Sequence, residues 1–145
     1  MKVRAWTLLA VACVGCAGPS SDAPISAEDF PVVACTVAYR SAVTEPLQST
    51  EEVSLRPGET ETLTFDEAAI DLTYDFSEQE GATMRIDARQ PGAEHYLSRG
   101  LYQFIAGEPP DNAFAGGHGF TGLVYIQPPD STAEAQYFCQ TEPAE

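Results

Sequence analysis

The chain has 145 residues, with seven basic side chains against 22 carboxylates and a formal net charge of −15. This excess of acid argues against nucleic acid as a partner, because nucleic-acid binding depends on basic side chains that neutralise phosphates. It argues equally against a protein face that binds anionic lipid. The length suits one domain with a single hydrophobic core.

Residues 1–15 have the layout of a secretory signal. Lys2 and Arg4 precede an apolar run that continues to about Gly15, and this order is typical of an export signal. The run is too short for a transmembrane helix, which needs about 20 apolar residues. Its end, CVGC, resembles the lipobox of bacterial lipoproteins and makes Cys16 the acylated residue. The overlapping AVAC would place the acyl chains on Cys13, and neither register has the usual leucine.

The resemblance to lipoproteins implies a lipid anchor at a bacterial cell envelope. Acyl chains such as palmitate on Cys16 would hold the chain on a membrane, since each buried methylene contributes about 0.8 kcal/mol. Ala17 follows Cys16 where an aspartate would favour the inner membrane, so we expect the outer membrane, facing the periplasm or the cell surface. We therefore predict a signal peptide over 1–15 and a lipidated flexible tether over 16–29. The remaining chain has five arginines against 22 carboxylates, a net charge of −17.

From Phe30 onwards, apolar and polar residues alternate, which is typical of half-buried β-strands. The clearest segment is AIDLTYDF, in which Ile70, Leu72 and Tyr74 share one face. We predict an all-β domain over 30–141, with a tail over 142–145. Its architecture is a single antiparallel β-sandwich, immunoglobulin-like or a small barrel, of seven or eight strands. Gly100 lies within the apolar segment HYLSRGLYQFI, where we expect it to mark a β-bulge.

Cys35 and Cys139 lie near the two ends of this domain. Export would place them in an oxidising compartment, so we predict a disulfide between them, with buried free thiols as the alternative. Two cysteines are too few soft ligands for a zinc site. The pair Tyr137 and Cys139 resembles the last core strand of immunoglobulin variable domains. The long spacing between the cysteines and the absence of tryptophan after Trp6 exclude that family.

We predict no metal site, no cofactor and no catalytic site. The two histidines lack zinc-ligand spacing, and no G-x-S-x-G nucleophile motif is present. The acidic residues between 66 and 80 indicate a solvated face, with a weak calcium site as the alternative. The long connection 105–122 contains a glycine-rich segment that favours binding. Its candidate binding residues are Phe114, Gly116, Gly117, His118, Gly119 and Phe120.

These features predict a lipid-anchored envelope protein with a non-enzymatic binding or structural role. The expected partner is an envelope protein or polymer rather than nucleic acid. A cysteine pair that joins the first and last strands is similar to that of the periplasmic lysozyme-inhibitor lipoproteins, although their Ser-Gly-x-x-Tyr signature is missing. The alternative function is therefore an inhibitor of a cationic enzyme such as lysozyme. A hydrolase that uses His118 is a further alternative.

Overall fold

The structure, a computed structural model, describes residues 24–108, 110–113 and 116–142. It therefore leaves the proposed acylation site Cys16 and the loop residue Phe114 outside the described residues. In the described ranges, the 3₁₀ turn Ala27–Asp29 is the only helical segment, and no helix there could cross a membrane. The strands are β1 Val33–Arg40, β2 Ser49–Leu55, β3 Thr60–Thr64, β4 Ala69–Ser77, β5 Gly81–Arg89, β6 Tyr96–Phe104, β7 Val124–Ile126 and β8 Glu134–Thr141.

The eight strands form two antiparallel sheets of four strands each. The first sheet has the order β2-β1-β8-β7, and the second has the order β3-β4-β5-β6. The chain thus crosses from the first sheet to the second after β2 and returns after β6. This arrangement confirms the predicted β-sandwich and, because each sheet has two open edges, differs from a closed barrel.

Alternation along the strands places one face of each sheet in a shared core. The buried apolar residues include alternate residues of β1, β4 and β5: Val33, Cys35, Val37, Tyr39, Ile70, Leu72, Tyr74, Met84, Ile86 and Ala88. The Tyr74 hydroxyl donates a hydrogen bond to the Pro31 carbonyl oxygen at 3.1 Å. Burial raises the pKa of Tyr74 to about 12. Ile25, which precedes the first strand, also packs against this core.

Cys35 and Cys139 form the predicted disulfide. The two residues lie directly opposite one another on β1 and β8, with their Cα atoms 4.1 Å apart. The bridge therefore joins neighbouring strands of one sheet rather than the two sheets. Since 104 residues separate the cysteines, it ties the first strand of the fold to the last.

The segment around Gly100 forms one continuous strand, β6, and the expectation of a bulge at Gly100 is wrong. Gly100 pairs regularly with Ile86, whereas the register shifts where Ala88 and Arg89 of β5 meet the start of β6. The glycine has a packing role instead. A Cβ atom at Gly100 would lie 2.9 Å from the ring of Tyr102, so the missing side chain makes room for that ring.

Candidate binding surface

The connection between β6 and β7 contains the predicted binding residues. We call residues 105–122 the docking loop, of which 105–108, 110–113 and 116–122 are described. It opens with a turn in which the Glu108 amide donates to the Ile105 carbonyl oxygen at 3.0 Å. Beyond this turn the loop crosses to the first sheet, where Asn112 and Thr121 contact β8.

Two loop side chains bond to the backbone of β8 beyond the end of β7. The short strand β7 pairs with β8 only as far as Tyr137. Further along, the Cys139 amide donates to the Thr121 hydroxyl at 2.8 Å. The Thr141 amide donates to Asn112 Oδ1 at 2.9 Å, and Asn112 Nδ2 donates to the Thr141 carbonyl oxygen at 2.9 Å. Asn112 and Thr121 thus satisfy backbone groups that a longer neighbouring strand would have satisfied.

Gly119 brings the backbone of the loop into direct contact with β8. Its φ is +65°, and an added Cβ atom would lie 2.0 Å from the Cys139 carbonyl oxygen. No side chain fits at that distance. Gly119 therefore allows the close approach of two backbones, in addition to its left-handed conformation.

Phe120 fixes the loop to the second sheet. Its ring meets Tyr102 and Phe104 of β6 in edge-to-face geometry, with 5.3 Å between ring centroids in each case. The side chain is buried in the core cluster. Asn112 and Thr121 bond to β8 of the first sheet, whereas Phe120 packs on β6 of the second. The loop therefore contacts both sheets and closes one side of the sandwich.

His118 is a half-buried packing residue. Its ring lies edge-to-face on Phe138, with 5.4 Å between centroids. Among the described residues we find no hydrogen bond or ion pair that would orient this imidazole toward a nucleophile. The contact with Phe138 anchors His118 to the outer face of β8.

The structure separates the predicted binding residues into two groups. Gly119 and Phe120 are buried and His118 is half-buried, whereas Gly116 and Gly117 are exposed. The loop is therefore anchored on β8, and only its tip is open to a partner. Sequence reasoning missed Asn112 and Thr121, which are ordinary polar residues of a loop until the position of β8 is known.

The outer face of the second sheet carries a network of arginines and aspartates. Asp87 is buried there and accepts two hydrogen bonds from Arg99, from Nε at 2.5 Å and from Nη2 at 3.0 Å. Arg85 Nε lies 3.4 Å from the same carboxylate. The Arg99 guanidinium also stacks over Tyr96, 4.3 Å from the ring centroid. This bidentate geometry satisfies a carboxylate that would otherwise be costly to bury.

Asp71 lies on the same face, on β4 directly opposite Asp87 of β5. It accepts from Arg89 Nε at 2.7 Å and from the Thr62 hydroxyl at 2.9 Å. The hydrogen bond from Arg89 lowers the pKa of the Asp71 carboxyl, against an opposing effect of burial. In the part of the chain that the structure describes, no group of three or more potential ligands is arranged to hold a metal ion.

Exposed glutamates lie along the edge strands β2 and β3. We call the exposed glutamates of β2, β3 and the turn between them the acidic edge. Its members are Glu51, Glu52, Glu59 and Glu61. Four of the five arginines in the described residues form ion pairs elsewhere, on β1, β5 and β6. The fifth, Arg56, lies in the turn between β2 and β3, where its amide donates to Glu59 Oε2 at 2.7 Å.

An apolar groove of about 300 Å³ lies between β6 and the docking loop. It is lined by Tyr102, Gln103 and Phe104 of β6 and by Pro110, Asp111 and Phe120 of the docking loop. The groove follows the C-terminal half of β6. It places aromatic surface beside a strand edge.

Comparisons with known proteins give no match. No family model, curated protein or solved structure is significantly similar to this chain.

Proposed function

We propose that this chain is a lipid-anchored protein of the bacterial cell envelope with a non-enzymatic binding or structural role. The observation that carries the proposal is the export signal ending in a lipobox-like CVGC at Cys16. The Cys35–Cys139 disulfide supports it, because such bonds persist in oxidising compartments outside the cytosol. Acyl chains at Cys16 would supply the membrane attachment.

The proposed contact is the tip of the docking loop, over 110–113 and 116–117. Functional residues favour loops held by a rigid scaffold, and this loop is fixed to both sheets by Asn112, Thr121 and Phe120. The proposed partner is another protein or a polymer of the envelope. His118 packs on Phe138, which favours a role in supporting the tip over a role in hydrolysis.

Metabolic labelling with an alkyne analogue of palmitate tests the anchor. We expect the wild-type chain and Cys13→Ser to be labelled in the membrane fraction, and Cys16→Ser to lose both the label and its membrane attachment. Loss of the label in Cys13→Ser alone would assign the acyl chains to the other register. An unlabelled wild-type chain would overturn the proposal of a lipid anchor.

Capture from envelope extracts tests the binding role. The full chain, immobilised after detergent extraction, should enrich one protein or polymer at moderate salt. Asp111→Lys at the loop tip should lose that species, while Glu52→Lys on the acidic edge should keep it. Failure to enrich any component would contradict a binding role at the tip.

The acidic edge favours a second candidate, an inhibitor of a cationic enzyme such as lysozyme. Its four glutamates face solvent, and opposite charge steers association at a rate that falls with salt. The test is the lytic activity of lysozyme with the full chain added at low and at high salt. Salt-sensitive inhibition that is lost in Glu51→Gln/Glu61→Gln would support this function. Full lysozyme activity at every salt concentration would exclude it for that enzyme.

A further inference from the structure

The four edge strands of the sandwich differ in how they are protected. A free edge presents unpaired backbone groups, and proteins usually guard it with charge or by keeping it short. Edge strands β2 and β3 carry glutamates, and β7 has only three residues. Strand β6 has nine residues, and its single charged side chain, Arg99, is paired with Asp87 of β5. It is the one long, unguarded edge in the described part of the chain.

Exposed apolar side chains accompany this edge. Leu101 is 66% exposed and Ile105 is 62% exposed, the two highest values among the large apolar residues described. Leu101 lies on the outer face between Arg99 and Gln103, opposite Arg85 of β5. No described strand pairs with the far side of β6. An exposed, long and apolar edge is a template for pairing with another strand.

We propose that β6 pairs antiparallel with β6 of a second copy of this chain, with a two-fold axis at Leu101. Such a contact is isologous, since each copy contributes the same strand. It would join the two second sheets into one continuous sheet of eight strands. Because the other edges are charged or short, the assembly closes as a dimer.

The sequence of β6 selects this register. With the axis at Leu101, the two Leu101 side chains meet, and Arg99 of each copy lies opposite Gln103 of the other. An axis at Arg99 would instead set two guanidiniums directly opposite one another, which is unfavourable in a strand pair. An axis at Gly100 would pair Arg99 with Leu101. The Leu101 axis matches apolar with apolar and polar with polar on the outer face.

The inner face of β6 fits the same register. There, Gly100 of one copy lies opposite Tyr102 of the other, and Ser98 lies opposite Phe104. These small residues face the aromatic groove beside β6, so two large rings never compete for the same space. The alternation of small and large residues along this face makes the strand complementary to itself.

Charge also favours a second copy at this surface rather than elsewhere. The outer face of the second sheet balances three arginines, Arg85, Arg89 and Arg99, against three aspartates, Asp71, Asp75 and Asp87. Two acidic molecules can approach here without local repulsion. Their remaining long-range repulsion is screened by salt, so the dimer should strengthen as ionic strength rises. Binding of a basic peptide would have the opposite salt dependence.

Cysteine cross-linking of the full chain, solubilised in detergent, tests the axis. In Leu101→Cys the new thiols would lie opposite one another, as Cys35 and Cys139 already do within the first sheet. A mild oxidant should give a disulfide-linked dimer on non-reducing gels. Tyr125→Cys is the matched control, because Tyr125 is 55% exposed on β7, an edge strand of the first sheet. Equal yields from the two variants, or a higher yield from Arg99→Cys, would overturn the proposed axis.

Native mass spectrometry of the solubilised chain tests the association without a cross-link. We expect two copies for the wild type, with a dimer fraction that rises with salt. Leu101→Glu should weaken the dimer at least roughly tenfold, because it sets two carboxylates opposite one another. At a protein concentration low enough for both chains to be monomeric, its thermal midpoint should match the wild type, since the side chain is exposed. A wild-type chain that stays monomeric at every salt concentration would overturn the proposal.

Discussion

The side chain of Asn112 bonds to Thr141 as the backbone of a neighbouring β-strand would. Its Oδ1 accepts from the Thr141 amide at 2.9 Å, and its Nδ2 donates to the Thr141 carbonyl oxygen at 2.9 Å. This single amide continues the edge of the first sheet where β7 has ended. The docking loop is therefore part of the sandwich rather than an appendage to it.

Asn112→Ala should lower the free energy of unfolding by about 1–3 kcal/mol, the usual cost of leaving buried polar groups without partners. Thr141 is buried, so water replaces the lost bonds poorly. Urea denaturation measures the change. Gln140→Ala, which removes an exposed side-chain amide from the residue next to Thr141, is the control and should differ little from wild type. Equal free energies of unfolding for the two variants would mean that the hydrogen bonds between Asn112 and Thr141 do not contribute to stability.

Two glycines of the loop provide a matched pair of variants. Gly117 and Gly119 have similar φ values, +70° and +65°, but only Gly119 has backbone atoms within reach of an added Cβ. Gly117→Ala should cost about 1–2 kcal/mol for the left-handed conformation. Gly119→Ala should cost at least about 2 kcal/mol more, because its Cβ would lie 2.0 Å from the Cys139 carbonyl oxygen.

The midpoints of urea unfolding of the two variants give this difference directly. A similar loss in both would show that the conformational effect dominates and that the loop backbone can move away from β8. A larger loss in Gly119→Ala would establish the close backbone contact as the cause.

The strands could be predicted because their signal is local. In β4, inward Ile70, Leu72 and Tyr74 alternate with polar residues, and this period alone identifies a half-buried strand. The disulfide followed from the number of cysteines and the export signal. The pairing of β1 with β8 as direct neighbours did not follow, since no local pattern specifies which strands of a sandwich become adjacent.

The anchoring of the docking loop was beyond sequence reasoning for a different reason. Asn112 and Thr141 are 29 residues apart, and an asparagine in a polar loop has no feature that identifies its partner. The sequence alone does not distinguish one loop glycine from another. In the structure, only Gly119 approaches the backbone of Cys139, whereas Gly117 does not. The bulge was misplaced because Gly100 has two physical uses. A glycine can allow a bulge or make room for a ring, and here it makes room for Tyr102.

Loss of the disulfide should destabilise the fold strongly. The bridge closes a loop between residues 104 positions apart, and constraining the unfolded chain over that length contributes about 4–5 kcal/mol. Cys35→Ala/Cys139→Ala should lose at least this much, because it also removes two buried sulfur atoms. Reduced wild-type protein keeps those atoms and is the control. A loss below about 2 kcal/mol in the reduced protein would contradict the prediction.

The free energy of unfolding should fall at low pH, partly because the Asp71 carboxylate becomes protonated. Its pKa is lowered in the folded state by the hydrogen bond from Arg89, so folding favours the ionised carboxylate. The stabilisation is complete above the ordinary pKa of about 3.8. It is lost as the pH falls below that value and through the lower pKa of the folded state, where both states become protonated.

Asp71→Asn should remove this contribution. The variant should be less stable than wild type at neutral pH, and the difference should narrow as the pH falls below about 4. Urea midpoints measured between pH 7 and pH 2 give the two curves. Asp75→Asn is the control, since the Asp75 side chain is 61% exposed and its contact with Arg85 is longer, at 3.5 Å. If the difference in urea midpoint between wild type and Asp71→Asn stayed constant from pH 7 to pH 2, the Arg89 contact would not favour the ionised carboxylate. A gap that closes only in acid would assign part of the acid sensitivity of the second sheet to this ion pair.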